Sequence, residues 1–495
     1  DVIGGLVYET LLRPDENLVY SEPWLATRYE LSEDQKSVTF YLRKDVKWHD
    51  GQPFTAEDVA FTIKFILDPE YPGAYASDFL VIEGAEAYQK GEADDVTGIE
   101  IVDDYTITLH LTKVYGPALT TFGGMYIIPK HRFEGQPIAQ AETLEATKHP
   151  IGTGPYKFVK YQTDQYVELV RNTEWWGGKP YIEKIIWQVV NQEVATGSFQ
   201  NGEIDALGVG ASNINPADLE LLENLDFADI WEHPDFGYQH MFFNLTDPRF
   251  QDVRVRQAFA YGINRQAMVD QILLGHGTVM NGPILPVSWA FNPDVNPYEY
   301  NPDKARELLK EAGWEDRDGD GIVENEAGED FVVTLLYPQG NPLREAHAPL
   351  IQDDLGKIGV KVELEMVDFN TLVARVIQST DFEIGLLGWS LSLDPDQLAI
   401  WTPGAPYNFT RFENEKSQEL LEKGAYSSMD PEERKPYYQE WVKLMNEQLP
   451  YVFLYTQNKI YVFNGDRIKG YNKNILGPLQ NVHEWWIPKD QQRGS

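Results

Sequence analysis

Cysteine is absent from this 495-residue chain, which excludes disulfides, thiolate metal sites and cysteine nucleophiles. Basic residues are scarce beside acids: 41 Lys and Arg stand against 78 Asp and Glu, a formal charge of −37. That balance is too acidic for a nucleic-acid binder and repels an anionic membrane surface. Long apolar runs are missing too. The stretch Ile384 to Trp389 falls far short of the roughly 20 residues that span a bilayer. There is no internal repeat, no low-complexity linker, no His-Glu-x-x-His, no Gly-x-Ser-x-Gly and no Walker phosphate loop. Gly152-Thr153-Gly154 is too short for a dinucleotide fingerprint. The nine histidines are scattered, and among 78 acids a carboxylate pair suited to glycoside hydrolysis carries no weight. The opening Asp1-Val2-Ile3 lacks a charged n-region or an apolar h-region, the expectation for an exported chain whose signal has been removed.

What the chain does carry is aromatic surface and regular alternation. Trp, Tyr and Phe make up 13% of it, and such rings supply large rigid contact area at low entropy cost, although most are expected in cores. The length of 495 residues exceeds what one core supports, so two or more domains are expected. Helix and strand patterns alternate throughout, which favours α/β lobes over a sandwich or bundle. Asn301-Pro302 opens a helix with apolar positions Ala305, Leu308, Leu309 and Ala312, and Gly313 ends it. Asp430-Pro431 opens another, whose stripe passes through Trp441, Leu444 and Met445 into a strand from Tyr451 to Tyr455. Asn264 caps a third, expected to run to Gly275.

An acidic loop, Asp316 to Glu324, sets acids at alternate positions with Gly321 at the sixth, the pattern that turns several oxygens onto one hard cation. Asp316, Asp318, Asp320, Ile322 and Glu324 are candidate ligands of a structural calcium. The twelfth position holds Ala327 in place of a bidentate Glu, so an acidic, turn-rich hairpin without metal is the other reading. No other cofactor is expected.

Residues 26 to 62 are the most informative stretch. Thr39 to Leu42 alternates as a half-buried strand, Asp50-Gly51 supplies turn chemistry, and Thr55 caps a helix with Asp58 three residues on. Around these stand Tyr29-Glu30-Leu31-Ser32, Leu42-Arg43 and Val46 through Asp50-Gly51-Gln52-Pro53-Phe54. In that order the residues closely resemble the signature of the bacterial extracellular solute-binding proteins of family 5, the oligopeptide, dipeptide and nickel class that serves ABC importers. The resemblance continues at Gly152-Thr153-Gly154-Pro155-Tyr156, Asn172 to Trp176 with Gly178-Lys179-Pro180, Gly202 to Asp205, Asn244 with Asp252 to Ala258, Ala305 to Trp314 and Gly388-Trp389-Ser390.

The resemblance implies an α/β, two-lobed periplasmic-binding-protein-like fold with an extra inserted subdomain. Lobe I would be discontinuous, from 1 to 10, 150 to 236 and 466 to 495; the insertion would be 11 to 149, and lobe II 237 to 465. The crossings would fall near Gly237-Tyr238 and Asn464-Gly465-Asp466. It also implies an extracytoplasmic monomer, lipid-anchored in its full-length precursor, with a membrane permease as partner and no nucleic acid.

The candidate ligand site is the loop after the strand Phe382 to Leu387: Trp389, Ser390, Ser392 and Asp394, leading into a helix expected at Pro395. Ligands of α/β folds sit at the carboxyl ends of strands. In peptide-binding members an aspartate shortly after the corresponding Trp meets the peptide ammonium, and Ser392 stands at that position here. Asp394 or Asp396 offers a substitute by a small register shift, or else Asp394 simply caps the helix. Trp401, Tyr407, Asn408 and Phe409 would face the same cleft, and Tyr337 and Asn341, with Arg344, follow the strand Phe331 to Leu336. These features point to a receptor that closes over an oligopeptide or another neutral or cationic solute and breaks no bond. An oligosaccharide receptor of the same fold is the nearest rival, favoured by Ser392, Trp389 and Trp401. An extracellular glycosidase is the rival from a different class.

Overall fold

A computed structural model describes residues 4–73, 75–210 and 214–493, with the side chains of 192 and 193 excepted. The first three residues of the expected lobe I and its last two, 494 and 495, lie outside the described residues. The chain divides into two compact units: Asp1–His233, Ala425–Asp430 and Ile460–Ser495 form unit 1, and Pro234–Gly424 with Pro431–Lys459 forms unit 2. The changeovers fall at 233/234 and 459/460, the second inside the continuous strand Tyr451–Asn464, and residues 425–430 visit unit 1. Both units mix helix and sheet. No helix among the described residues is long and apolar enough to cross a membrane.

In unit 1 the strands Ala26–Leu31, Ser37–Leu42, Thr106–His110 and Ile99–Asp103 form an antiparallel sheet in that order. Ser37–Leu42 buries alternate residues, as its pattern predicts. The helix Ala56–Leu67 covers the sheet, and its first turn is closed by the Thr55 amide donating to the Asp58 carboxylate at 3.0 Å. Asp58 is buried and also accepts from Trp48 Nε1 (3.2 Å) and the Lys130 amide (3.0 Å). His49 ties this hairpin to the Gly152–Gly154 segment: its Nε2 bonds the Gly154 carbonyl at 2.9 Å, and its Nδ1 accepts from the Gly152 amide at 3.3 Å. Burial lowers the His49 pKa to about 4, so the ring is neutral and is a structural tie. A Cβ at Gly152 would lie 1.7 Å from the Val7 carbonyl oxygen, so only glycine fits there. Two stretches of the signature, far apart in sequence, are thus one packed object.

A second three-stranded sheet in unit 1, Tyr156–Gln162, Tyr166–Arg171 and Lys184–Gln188, is antiparallel. Glu9 is buried nearby and accepts three indole N–H groups, from Trp24 (2.8 Å), Trp175 (3.1 Å) and Trp176 (3.0 Å). Burial nonetheless pushes its pKa up to about 7.

Unit 2 is built on a mixed sheet. Gly237–Phe243 lies between Tyr451–Asn464 and Ile384–Ser390, antiparallel to both. Val332–Pro338 runs parallel to Ile384–Ser390 on one side and Lys361–Val367 on the other. Gly237–Phe243 ends, and Ile384–Ser390 begins, in a continuously buried run, the mark of strands covered on both faces. The helix Pro342–Gly356 crosses between the two parallel strands and buries His347, Ala348, Ile351 and Leu355, spaced by helical turns. The helix Pro302–Glu311 starts at Asn301, whose side chain accepts from the Lys304 amide at 3.0 Å, and buries Ala305, Leu308 and Leu309. Pro431–Gln448 buries Tyr438, Trp441 and Met445.

Two expectations about helix limits need correction. Asn264 does cap a helix, but it stops at Gln271. Leu274 (φ 50°) and Gly275 (φ 89°) then turn the chain into the strand Gly277–Val279, so no helix reaches Gly275. No helix opens at Pro395 either. Residues after Ser390 stay in a loop until the short helix Leu398–Trp401.

Candidate ligand site

Trp389 is the penultimate residue of Ile384–Ser390, opposite Tyr238 in the antiparallel register. It is half-buried, and its ring rests on a fixed aromatic bed. Phe409 lies at 5.8 Å with planes 24° apart, Tyr407 meets it edge-on at 5.8 Å and 73°, and His240 lies at 6.2 Å and 12°. His240 stacks in turn on Tyr451 at 4.1 Å and 14°, and Tyr451 packs against Trp401 at 4.6 Å. Trp389 Nε1 donates to the Tyr451 hydroxyl at 3.4 Å. Rings locked in this way lose little entropy on meeting a ligand.

The other predicted contact residues divide by exposure. Ser390 and Ser392 are exposed, and Tyr407, Tyr337 and Asn341 are half-buried. Trp401, Asn408 and Phe409 are each about 2% exposed. Trp401 donates to Gln397 Oε1 at 2.9 Å, while Asn408 Nδ2 donates to the Phe412 and Thr402 carbonyls at 2.8 and 3.1 Å. These three residues therefore shape the bed beneath Trp389 and Tyr407, and their own faces are covered. Asn341 caps the helix Pro342–Gly356 by accepting from the Arg344 amide at 3.1 Å.

Asp394 is held by an interaction that local sequence did not reveal. Its two oxygens receive Arg434 Nη1 and Nη2 at 2.7 and 2.8 Å, with side-chain exposures of 8% and 1%, a buried bidentate pair. Arg434 also donates to the Gly424 carbonyl at 2.7 Å and to the Tyr438 hydroxyl at 3.1 Å. Asp394 Oδ1 accepts the Asp396 amide at 3.0 Å as well. The partner stands 40 residues away, so no local pattern could have named it.

Arg344 is half-buried over the sheet, and its Nε donates to Gln239 Oε1 at 3.0 Å. Burial lowers its pKa. Gln239 went unnoticed in the sequence, where a lone amide inside an apolar strand is the only signal.

In the acidic loop, carboxylate oxygens of Asp316, Asp318 and Glu324 come within 4.8 Å of one another. Asp320 points into local bonding instead and accepts the Ile322 amide at 2.8 Å. Asp316 accepts the Gly319 and Gly321 amides, Asp318 that of Asp320, and Glu324 that of Arg317 at 2.7 Å. The loop thus has a hydrogen-bonding account of its own.

The model of the bacterial extracellular solute-binding proteins, family 5, matches residues 21–411. The chain belongs to that family. Among curated relatives of this family 5 protein, the oligopeptide-binding protein AppA of Bacillus subtilis is 31% identical over 98% of this chain and 87% of its own length. The solved structure of AppA with a nonapeptide matches with a TM-score of 0.81 at 29% identity, covering 98% of this chain and 94% of the other. NikZ from Campylobacter jejuni, solved with Ni(L-His), matches at 0.82 and 28% identity over 98% and 94% of the two chains. The family 5 chain is accordingly an extracytoplasmic solute-binding protein with the family's α/β fold.

Proposed function

We propose that this family 5 protein is the capture component of an ABC importer and that its ligand is an oligopeptide, held against the Trp389–Tyr407 surface of unit 2 and released unchanged. The observation that carries this reading is the half-exposed Trp389, fixed on stacked rings at the carboxyl end of a central strand. Exposed Ser390 and Ser392 beside it suit hydrogen bonds to a peptide backbone, which tolerate different side chains. AppA, matching over nearly the whole chain, was solved holding a nonapeptide, which supports the peptide assignment. The acidic loop is assigned to its metal-free form.

One observation favours a second reading. Because Arg434 occupies Asp394, this loop carboxylate is not free to meet a peptide ammonium, and a Trp face suits a sugar equally well. Native mass spectrometry of gently purified protein separates the two. Retained masses forming a peptide ladder are expected, whereas hexose increments would replace the peptide by an oligosaccharide.

A further inference from the structure

Residues 425–430 belong to unit 1, while the helices on either side, Glu415–Tyr426 and Pro431–Gln448, lie otherwise in unit 2. The first helix runs straight into the segment, and only residues 427–430 join it to the second. A connection that merely bridged two helices would lie in solvent. Here Ala425, Ser428 and Met429 are all buried.

Three places in unit 1 hold the segment. At the turn between the strands Ala26–Leu31 and Ser37–Leu42, Gln35 Oε1 accepts the Met429 amide at 2.6 Å and the Ser428 hydroxyl at 3.3 Å. Gln35 itself has φ 55°, a left-handed conformation that a residue with a Cβ keeps when its surroundings fix it. The Met429 side chain joins the apolar cluster of Phe40, Tyr115 and Phe122. Beside that cluster, the Gly116 amide donates to the Ala425 carbonyl at 2.6 Å. The Tyr426 ring packs against Tyr115 at 6.3 Å with planes 33° apart, and the Lys113 ammonium lies 3.4 Å from its centroid.

Neutral hydrogen bonds, a cation on a ring and a single thioether are each weak holds. Together they seat the segment, and they give way without the loss of either core. Receptors with this architecture close by turning one lobe about a few backbone torsions. The changeovers at 233/234 and 459/460 fall in extended chain, which can twist. A segment clamped between two helices has no such freedom and must either hold its unit still or let go. We propose that residues 425–430 are a strap that fastens two helices of unit 2 to unit 1, and that it releases and re-engages each time a ligand enters or leaves. This rests on the reading of the protein as a capture component and adds the step that gates capture.

Two measurements test it. In the parent protein, hydrogen exchange of the Gly116 and Met429 amides, followed by NMR, reads the strap directly. Both should exchange roughly a hundredfold or more faster than the ladder joining Ser37–Leu42 to Thr106–His110. Equal protection overturns the proposal, since the strap would then part only when unit 1 unfolds. The chain has no cysteine, so Gln35→Cys with Ser428→Cys offers a single pair to a short, reductant-cleavable thiol cross-linker. Stopped-flow tryptophan fluorescence with tetra-alanine then follows uptake and release. Linking should slow both by roughly tenfold or more, with reductant restoring the parent rates; rates that the link leaves unchanged overturn the proposal. No response to tetra-alanine from the parent contradicts the peptide reading instead, and the exchange rates alone then decide the strap.

Discussion

At Trp389 one side chain joins the ordered interior of unit 2 to its surface. Its indole N–H is tethered to Tyr451 and its ring lies on Phe409 and His240, so a ligand meets a surface already in place. Trp389→Ala is expected to remove roughly 2 kcal/mol or more of binding free energy and to abolish ligand-induced thermal stabilisation, while the unliganded protein still unfolds cooperatively. Unchanged stabilisation would move the ligand elsewhere. Buried histidines set a second residue-scale expectation. His347 is lowered from its ordinary 6.5 to about 4, by burial first and the Arg344 charge second. It stays neutral when folded but takes up a proton when unfolded below pH 6.5, so its contribution to stability is present above that pH and lost as pH falls towards 4. Between those values His347→Gln should flatten the loss of unfolding free energy by up to about 1.4 kcal/mol per pH unit relative to the parent, measured by urea unfolding. Identical slopes would mean the ring is solvated. Glu9 and His49, common to both proteins, cancel in the comparison.

The elements were legible where the signal is local. The Asn301 cap and its apolar stripe, the alternation of Ser37–Leu42 and the long Pro431–Gln448 helix all follow from residues within a few positions of one another. The loop after Ser390 was not, because its form depends on Arg434, on a helix 40 residues further along. Asp394→Asn should lower the unfolding free energy of unit 2 by about 3–5 kcal/mol, because it leaves Arg434 buried without its counter-charge. A loss below about 1 kcal/mol in urea unfolding would mark the pair as no better than a surface bridge.

At the scale of the whole molecule, composition excluded classes while the order of signature residues pointed to the family. Neither pattern nor propensity reveals that residues 425–430 and 460–495 return to unit 1. The second changeover lies inside a continuous strand, marked only by the polar run Thr456 to Lys459 between two apolar halves. The site was legible in part: a Trp at a strand end could be read from sequence, but the covering of Trp401, Asn408 and Phe409 depends on long-range packing. The charge of −37 favours neutral or cationic ligands at long range. The central claim is that this protein holds a peptide and returns it intact. Its most direct test is to incubate purified protein with a defined mixture of short peptides, follow the melting temperature, and then weigh the recovered peptides. A rise in melting temperature with every peptide recovered at its original mass is predicted; shortened products, or no rise with any peptide, would contradict the account.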